Sequence, residues 1–250
     1  MSSPSVLSHR AVALKPSLTL AISARAQALK EAGRDICSLS AGEPDFDTPE
    51  FIVDATQKAL RDGITRYGPA AGDPQLRDAI ARKLSNENRV PTDAAQVLVT
   101  NGGKQAIYNL FQVLLNPGDQ VLIPAPYWLS YPEMARLAGA EPVVVPSSAA
   151  TGFQLDLEAL DAVLTPRSRL LVLNTPSNPT GRVMQRAELE ALAAWLRRHP
   201  DLLVMCDEIY EFLLAEGERH HSLAALAPDL AERIFIVNGF AKGWAMTGWG

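Results

Sequence analysis

The stretch NGFAKGWAMTGW, residues 238–249, places a lysine among small and aromatic residues directly after an apolar run. Gly239 and Gly243 leave room for close approach to Lys242, and we expect Phe240 and Trp244 to exclude water from its amine. An amine kept from water is neutral and nucleophilic, as formation of a Schiff base requires. The alternative is that Lys242 is an ordinary surface-loop charge.

A carboxylate and a phenol occur together in CDEIY, residues 206–210. Asp207 ends an apolar run, where it can be a helix N-cap or a solvated loop charge. The functional interpretation is that Asp207 faces a cationic ring nitrogen in a site with little water, where the attraction between the two charges is strong. Tyr210 can supply a hydroxyl to the same ligand, although a single tyrosine is also a common core residue.

Two glycines in TNGGKQA, residues 100–106, lie between a predicted strand and a predicted helix. The backbone N–H groups of Gly102 and Gly103 are expected to be free to hold an anion at the positive end of the helix dipole. A tight turn without a ligand is the alternative. Nucleotide-binding motifs do not fit, because GxGxxG is absent and Lys104 lacks the surrounding glycine and Ser/Thr of a P-loop.

Short β-branched runs alternate with stretches of helical period, a pattern typical of parallel strands joined by crossover helices. The pattern predicts strands at 97–100, 120–123, 141–145, 169–174, 202–206 and 234–238. It predicts helices at 50–62, 74–88, 103–115, 129–138, 156–164, 186–198 and 222–232. Six such strands in one sheet predict a doubly wound α/β domain.

The unusual polar residues follow the predicted strands. In open α/β sheets, ligands bind beyond the carboxyl ends of the strands. TNGGKQA, NTPSNPTG, CDEIY and NGFAKG each begin at or just beyond such an end. The sequence therefore predicts one site that gathers glycine, asparagine, aspartate, tyrosine and lysine.

Composition narrows the possible settings of this 250-residue chain, whose formal net charge is −5. It contains no long basic block, which argues against nucleic acid as the main partner. Two distant cysteines and four scattered histidines indicate neither a disulfide framework nor a metal site, so we expect a reducing, cytoplasmic setting.

The basic residues of 1–30 indicate an N-terminal arm or, alternatively, an organelle transit peptide. The longest apolar stretch there is too short to cross a bilayer.

These motifs together resemble the class I (fold-type I) pyridoxal-phosphate-dependent aminotransferases, particularly their aspartate aminotransferase-like subgroup. The resemblance runs from about residue 7 to residue 250, through SAGEPDFDTP, YGPAAGDPQLR, TNGGKQAIYNLF, PYWLSYPEM, NTPSNPTG, CDEIYE and NGFAKGWAMTGW. It implies a three-layer αβα fold with a mostly parallel sheet. Residues 1–48 would then be an N-terminal arm with a small-domain segment, and 49–250 a large cofactor-binding domain.

The resemblance also implies residue roles in a homodimer with a shared active site. Lys242 would hold pyridoxal 5'-phosphate as a Schiff base and shuttle a proton during catalysis. Asp207 would keep the ring nitrogen protonated, Asn178 and Tyr210 would bind the ring's 3-oxygen, and Trp128 would stack on the ring. The phosphate would be held by Gly102, Gly103 and Lys104, with Tyr67 reaching it from the second subunit. Gly42, Trp128 and Asn178 would lie near the substrate.

The chain departs from the family pattern at its end. The family has an arginine that pairs with the cofactor phosphate where this chain has Gly250. In the family, an antiparallel strand between the first and last predicted strands, and then a small domain, follow that arginine. We therefore expect a C-terminally truncated chain with an incomplete sheet and no C-terminal small domain. Made alone, it should fold poorly and have little activity.

Other functions stay open at this point. A C–S lyase uses the same lysine, aspartate and tyrosine on the same scaffold, and an inactive truncated product or pseudoenzyme would keep them without turnover. Within transamination, aspartate, glutamate, prephenate and aromatic substrates all remain possible. Proteins that transfer an amino group between an L-amino acid and a 2-oxo acid are nevertheless the class that the resemblance favours.

Overall fold

The computed structural model of the protein describes residues 6–14, 18–39 and 42–249. The chain divides into two compact units, Met1–Asp45 and Phe46–Gly250. The first unit contains helices α1 (His9–Ala13) and α2 (Leu18–Glu31). The division falls three residues before the predicted boundary at 48/49, and the functional meaning of that boundary stays a prediction. Gly250, at which the sequence departs from the family pattern, lies outside the described residues.

The second unit alternates helices and strands along most of its length. Its helices are α3 (Glu50–Arg61), α4 (Pro74–Asn86), α5 (Gly103–Leu114), α6 (Ser130–Leu137), α7 (Leu157–Val163), α8 (Arg186–Arg197), α9 (Leu223–Leu226) and α10 (Phe240–Gly243). Its strands are β1 (Gln120–Pro124), β2 (Glu141–Val145), β3 (Ser168–Asn174), β4 (Leu203–Asp207) and β5 (Ile234–Val237). Short 3₁₀ helices occur at Ala94–Gln96, Ala149–Thr151 and Pro228–Arg233. None of the helices in the described part of the chain is both long and apolar enough to cross a membrane.

The five strands form one parallel sheet in the order β2-β1-β3-β4-β5. The register places Asn174 beside Asp207, and Asp207 beside Val237. Three strands therefore end at one level of the sheet, and the polar residues that end or follow them share one edge. The predicted α/β fold class is confirmed.

Both faces of the sheet are covered by apolar side chains, as a parallel sheet requires. Leu170 and Val172 of β3 point to the cluster formed with α5 and α6, whereas Leu171 and Leu173 point to the cluster formed with α7, α8 and α9. Trp195 of α8 is fully buried in the second cluster. The result is the three-layer αβα arrangement, with the sheet as a rigid base for its carboxyl-end loops.

The predicted strand at 97–100 is wrong. In the structure this segment has no strand pairing, and Val99 donates its N–H to Ala71 O in a loop. Its β-branched residues favour an extended conformation, but a strand also needs a neighbour that completes the hydrogen-bond ladder. Among the described residues, no strand lies beside this segment.

The predicted helix at 222–232 is also wrong in part. It consists of α9 and a separate 3₁₀ helix that begins at Pro228. Proline lacks an N–H and disfavours a helical conformation in the residue before it, so the helix breaks at Ala227. The other predicted helices and strands are present, with ends that differ by no more than two residues.

Candidate active site

The buried carboxylate of Asp207 lies at the end of β4, in the middle of the polar sheet edge. Asp207 is 5% exposed, and its Oδ1 accepts a hydrogen bond from Ile209 N at 3.2 Å. Burial raises the pKa of this carboxyl from 3.8 to about 6, against hydrogen bonds from Tyr131 and Ile209 that lower it. Asp207 is therefore neither a helix cap nor a solvated charge, but a desolvated carboxylate that still ionises near neutral pH.

Tyr131 is the residue that the sequence analysis missed. Its hydroxyl donates to Asp207 Oδ2 at 2.7 Å, and the side chain is 1% exposed. Burial, followed by the charge of Asp207, raises the pKa of the Tyr131 phenol well above its usual value, so the phenol remains a donor. Tyr131 belongs to the motif PYWLSYPEM and lies in α6, three residues after Trp128, which precedes the helix. Its N–H donates to Trp128 O at 3.1 Å, and this turn brings the two rings together.

Asn178 and Tyr210 lie next to each other, as predicted from their positions just beyond the carboxyl ends of two parallel strands. Asn178 Nδ2 donates to the Tyr210 hydroxyl at 3.5 Å, a long contact. Asn174, which ends β3, orients both sides of the site, because its Oδ1 accepts from Asn178 N at 2.7 Å and its Nδ2 donates to Asp207 O at 3.0 Å. Burial, and then the Asp207 charge, raises the pKa of the Tyr210 phenol. An amide and a phenol thus share this corner with the buried carboxylate.

The start of α5 presents an anion-binding geometry. Gly102 has φ +80°, a conformation that L side chains rarely adopt. Its N–H donates to Thr100 O at 2.8 Å, so the expectation that this group is free is wrong. Among the described residues, no backbone acceptor is found for the N–H groups of Gly103 and Lys104, which open the helix. These two donors are at the positive end of the α5 dipole.

Lys104 and Trp128 lie side by side above this helix start. Lys104 Nζ is 5.0 Å from the centroid of the Trp128 ring, a cation–π distance. The Trp128 ring in turn packs edge-to-face against Tyr131, with centroids 5.3 Å apart. The chain of contacts Lys104–Trp128–Tyr131–Asp207 therefore connects the helix start to the buried carboxylate.

Lys242 lies on α10, a four-residue helix directly after β5, and is half-buried. A Cβ on Gly239 would come within 2.9 Å of Ile209 Cδ1, and one on Gly243 within 2.9 Å of Phe212 Cδ2. The small residues around Lys242 thus permit close packing. Phe240, however, is 46% exposed, so the expectation that it excludes water is wrong.

The structure does not bring Tyr67 into this group, and it does not place Gly42 relative to it. Tyr67 is in a loop between α3 and α4 with its side chain fully exposed. Gly42 belongs to the first compact unit. The roles of Tyr67 and Gly42 therefore rest on the family resemblance alone.

A second polar cluster, formed by Glu208, Glu211 and His220, is also one that the sequence analysis did not identify. Their side-chain ligand atoms lie within 4.8 Å of one another, and these are residue types that bind divalent metals. Glu211 already accepts hydrogen bonds from Lys83, Asn88 and Asn238, and Glu208 accepts one from Ser222. Because an ammonium and three neutral donors already act on these carboxylates, we assign the cluster a structural role.

Comparisons with known proteins agree on one family. The family model described as "Aminotransferase class I and II" matches residues 34–250. A protein of Rickettsia bellii, named as a probable aspartate/prephenate aminotransferase, is 48% identical over 98% of this chain and 61% of its own length. A Petunia hybrida protein, named as a bifunctional aspartate aminotransferase and glutamate/aspartate-prephenate aminotransferase, is 52% identical over 97% of this chain and 50% of its own.

Solved structures give the same result. An aspartate aminotransferase of Thermus thermophilus with maleate superposes with a TM-score of 0.93 at 48% identity, covering 98% of this chain and 63% of that one. The aspartate aminotransferase of Rhizobium meliloti superposes with a TM-score of 0.94 at 39% identity, covering 98% and 62%. This chain thus spans between half and just under two thirds of the length of these relatives.

The Tyr131→Phe variant tests the bond to Asp207. Without the phenolic donor, the ionised carboxylate loses a hydrogen bond in a dry site, so we expect the pKa of Asp207 to rise above about 6 by about one pH unit or more. The measurement is the carboxyl ¹³C chemical shift of labelled aspartate against pH in the cofactor-free protein. Tyr127→Phe is the matched control, since no bond joins Tyr127 to Asp207; an equal rise in both variants would contradict the assignment.

The Asp207→Asn variant tests the cost of burying the charge in the cofactor-free protein. Because the folded-state pKa is raised from 3.8 to about 6, the folded protein binds more protons than the unfolded chain between these values. Stability therefore falls as pH rises through that window, by roughly 3 kcal/mol. Urea unfolding at pH 4 and pH 8 should show the loss in the parent and a much smaller loss in Asp207→Asn. Asp201→Asn, at an exposed position just before β4, should keep the parent slope.

Proposed function

This chain belongs to the class I and II aminotransferase family, and we propose that it moves an amino group between an L-amino acid and a 2-oxo acid, with pyridoxal 5'-phosphate as cofactor. The observation that carries the proposal is the buried Asp207 carboxylate, which ionises near pH 6 beside an amide–phenol pair. Lys242 follows the neighbouring strand on the same sheet edge. An amine, a dry carboxylate and an anion-binding helix start are together the groups that this cofactor requires.

The donor set fits the polar parts of the cofactor. Its phosphate matches the unpartnered N–H groups at the start of α5 and the ammonium of Lys104. Gly102 contributes the left-handed turn that brings the backbone into place. The residues that would hold the remaining parts are Asp207 at the ring nitrogen, Asn178 and Tyr210 at the 3-oxygen, Trp128 at the ring face and Lys242 at the carbonyl carbon.

Asp207 would hold a proton on the ring nitrogen. An ionised carboxylate next to a pyridinium forms a charge-assisted hydrogen bond, which is stronger in a water-poor site than in water. When bound, the cofactor supplies the sink for the electrons that are released when the substrate Cα–H bond breaks. Tyr131 keeps Asp207 in the ionised form through the 2.7 Å bond from its hydroxyl.

Lys242 would have two tasks. Its Nζ would hold the cofactor covalently, and as a free amine the same Nζ would take the proton from the substrate Cα. Both tasks require the amine to remain close to the reacting carbon. The close packing of Gly239 and Gly243 under Ile209 and Phe212 fixes the helix that carries this amine.

Substrates and assembly follow from the relatives. The names of the Rickettsia bellii and Petunia hybrida proteins include aspartate and prephenate, and we propose this substrate class here. Gly42, Trp128 and Asn178 would contact the substrate. The fully exposed side chain of Tyr67 supports a role across a homodimer interface, where it would reach the phosphate of the other subunit. The two free cysteines support a reducing, cytoplasmic setting.

Borohydride trapping tests the proposed function. Incubation with pyridoxal phosphate, reduction and peptide mapping should place one stable label on Lys242, because its amine would form the Schiff base. Lys242→Ala should lose the label and at least about a thousandfold of any transamination rate, since the removed group acts as both nucleophile and base. Lys104→Ala should keep the label while needing more cofactor to reach it.

Two results would contradict the proposal. A label on Lys104 instead of Lys242 would sink the assignment of the amine. Release of pyruvate and ammonia from a sulfur-containing amino acid, without amino transfer from aspartate to a 2-oxo acid, would identify a C–S lyase. Cofactor binding at Lys242 without either reaction would identify an inactive member of the family.

A further inference from the structure

We propose that Glu211 and Asn238 are positioning residues that hold Lys242 in register with Asp207 and Tyr210. The inference rests on the proposed function, because it takes Lys242 as the reactive amine. Glu211 is the last residue of the motif CDEIYE and belongs to the structural cluster with Glu208 and His220. Asn238 opens the motif that contains Lys242.

The segment 207–212, which carries Asp207 and Tyr210, packs along the segment 237–244, which carries Lys242. Glu208 donates its N–H to Val237 O at 2.8 Å, just beyond the last pair of the β4–β5 ladder. Next, Ile209 covers Gly239, and Phe212 covers Gly243. The Phe212 ring also meets the Trp244 ring edge-to-face, with centroids 6.1 Å apart. The contacts with segment 207–212 thus fix the path of segment 237–244.

Glu211 supplies a side-chain polar contact between these two segments. Its carboxylate is buried, with the residue 7% exposed. Oε1 accepts from Asn238 Nδ2 at 2.7 Å and from Lys83 Nζ, and Oε2 accepts from Asn88 Nδ2 at 2.6 Å. A buried carboxylate with a single ionic partner and two amide donors has little freedom to move, because each lost contact costs desolvation energy.

Asn238 transmits that fixed position to the helix of Lys242. Its Nδ2 donates to Glu211, while its Oδ1 accepts from Gly239 N at 2.7 Å. Gly239 is the N-cap of α10, so the amide of Asn238 holds the backbone at the point where the helix begins. Rotation of the Asn238 side chain would break both bonds at once.

Replacing Asn88 and replacing Asn238 should have different consequences for Lys242. Each donates one amide N–H to the same carboxylate, but Asn88 follows α4 and has no bond to the segment 237–244. Asn88→Ala and Asn238→Ala therefore remove equivalent hydrogen bonds from Glu211. Only the second removes the connection to the helix of Lys242.

The experiment compares these two variants with the parent in two measurements. The first is hydrogen exchange of the backbone amides of residues 239–244 in the cofactor-free protein. We expect exchange about tenfold faster in Asn238→Ala, the value for one lost buried hydrogen bond, and unchanged in Asn88→Ala. The second is the rate of borohydride-trapped labelling of Lys242, which should fall severalfold in Asn238→Ala alone.

A further variant keeps the proposal testable if Asn238→Ala does not fold. Asn238→Asp is isosteric and keeps the oxygen that accepts from Gly239, but it places a carboxylate against Glu211. The same faster exchange and slower labelling are expected. Equal effects in the Asn238 and Asn88 variants, on both measurements, would overturn the inference. Absence of label on Lys242 in the parent would instead overturn the proposed function, while the exchange measurement would still decide whether Asn238 holds the segment.

Discussion

The burial of one carboxylate, Asp207, is the constraint on which the rest of the site depends. A charge in a dry position is tolerated only where donors surround it, and here Tyr131 and the backbone of Ile209 supply them. Because the pKa of Asp207 is raised to about 6, the group is ionised at neutral pH with little margin. The three-layer fold makes this possible, since the neighbouring strands β3 and β5 and the apolar clusters on both faces of the sheet bury the end of β4.

Much of this site could be predicted from the sequence, because ligand sites in open α/β sheets lie beyond the carboxyl ends of the strands. Asn178, Asp207, Tyr210 and Lys242 each occur shortly after an apolar run, and parallel strands bring such positions to one edge. Tyr131 could not be found in the same way, since it lies on a helix and its importance comes from a contact 76 residues along the chain. The same limit applies to Glu211 and Asn238, whose side chains meet only after β4 and β5 have paired.

The errors have equally physical origins. Residues 97–100 have the composition of a strand, but strand formation depends on a partner that local sequence does not contain. The helix breaks before Pro228 because proline lacks an N–H and disfavours a helical conformation in the residue before it. The helical period of the apolar residues on both sides of Pro228 nevertheless predicts one continuous helix. At Gly102, the sequence indicated a special backbone conformation, which is present, but not that its N–H bonds to Thr100.

The short length of α10 has a consequence for how the site responds to heating. Four residues are far fewer than an isolated helix needs to be stable, so the conformation at Lys242 comes almost entirely from its neighbours. Such a segment can open while the sheet beneath it stays folded, because the free energy of local opening is smaller than that of global unfolding. On heating, the conformation around Lys242 should therefore be lost before the far-ultraviolet circular dichroism signal of the helices and strands changes.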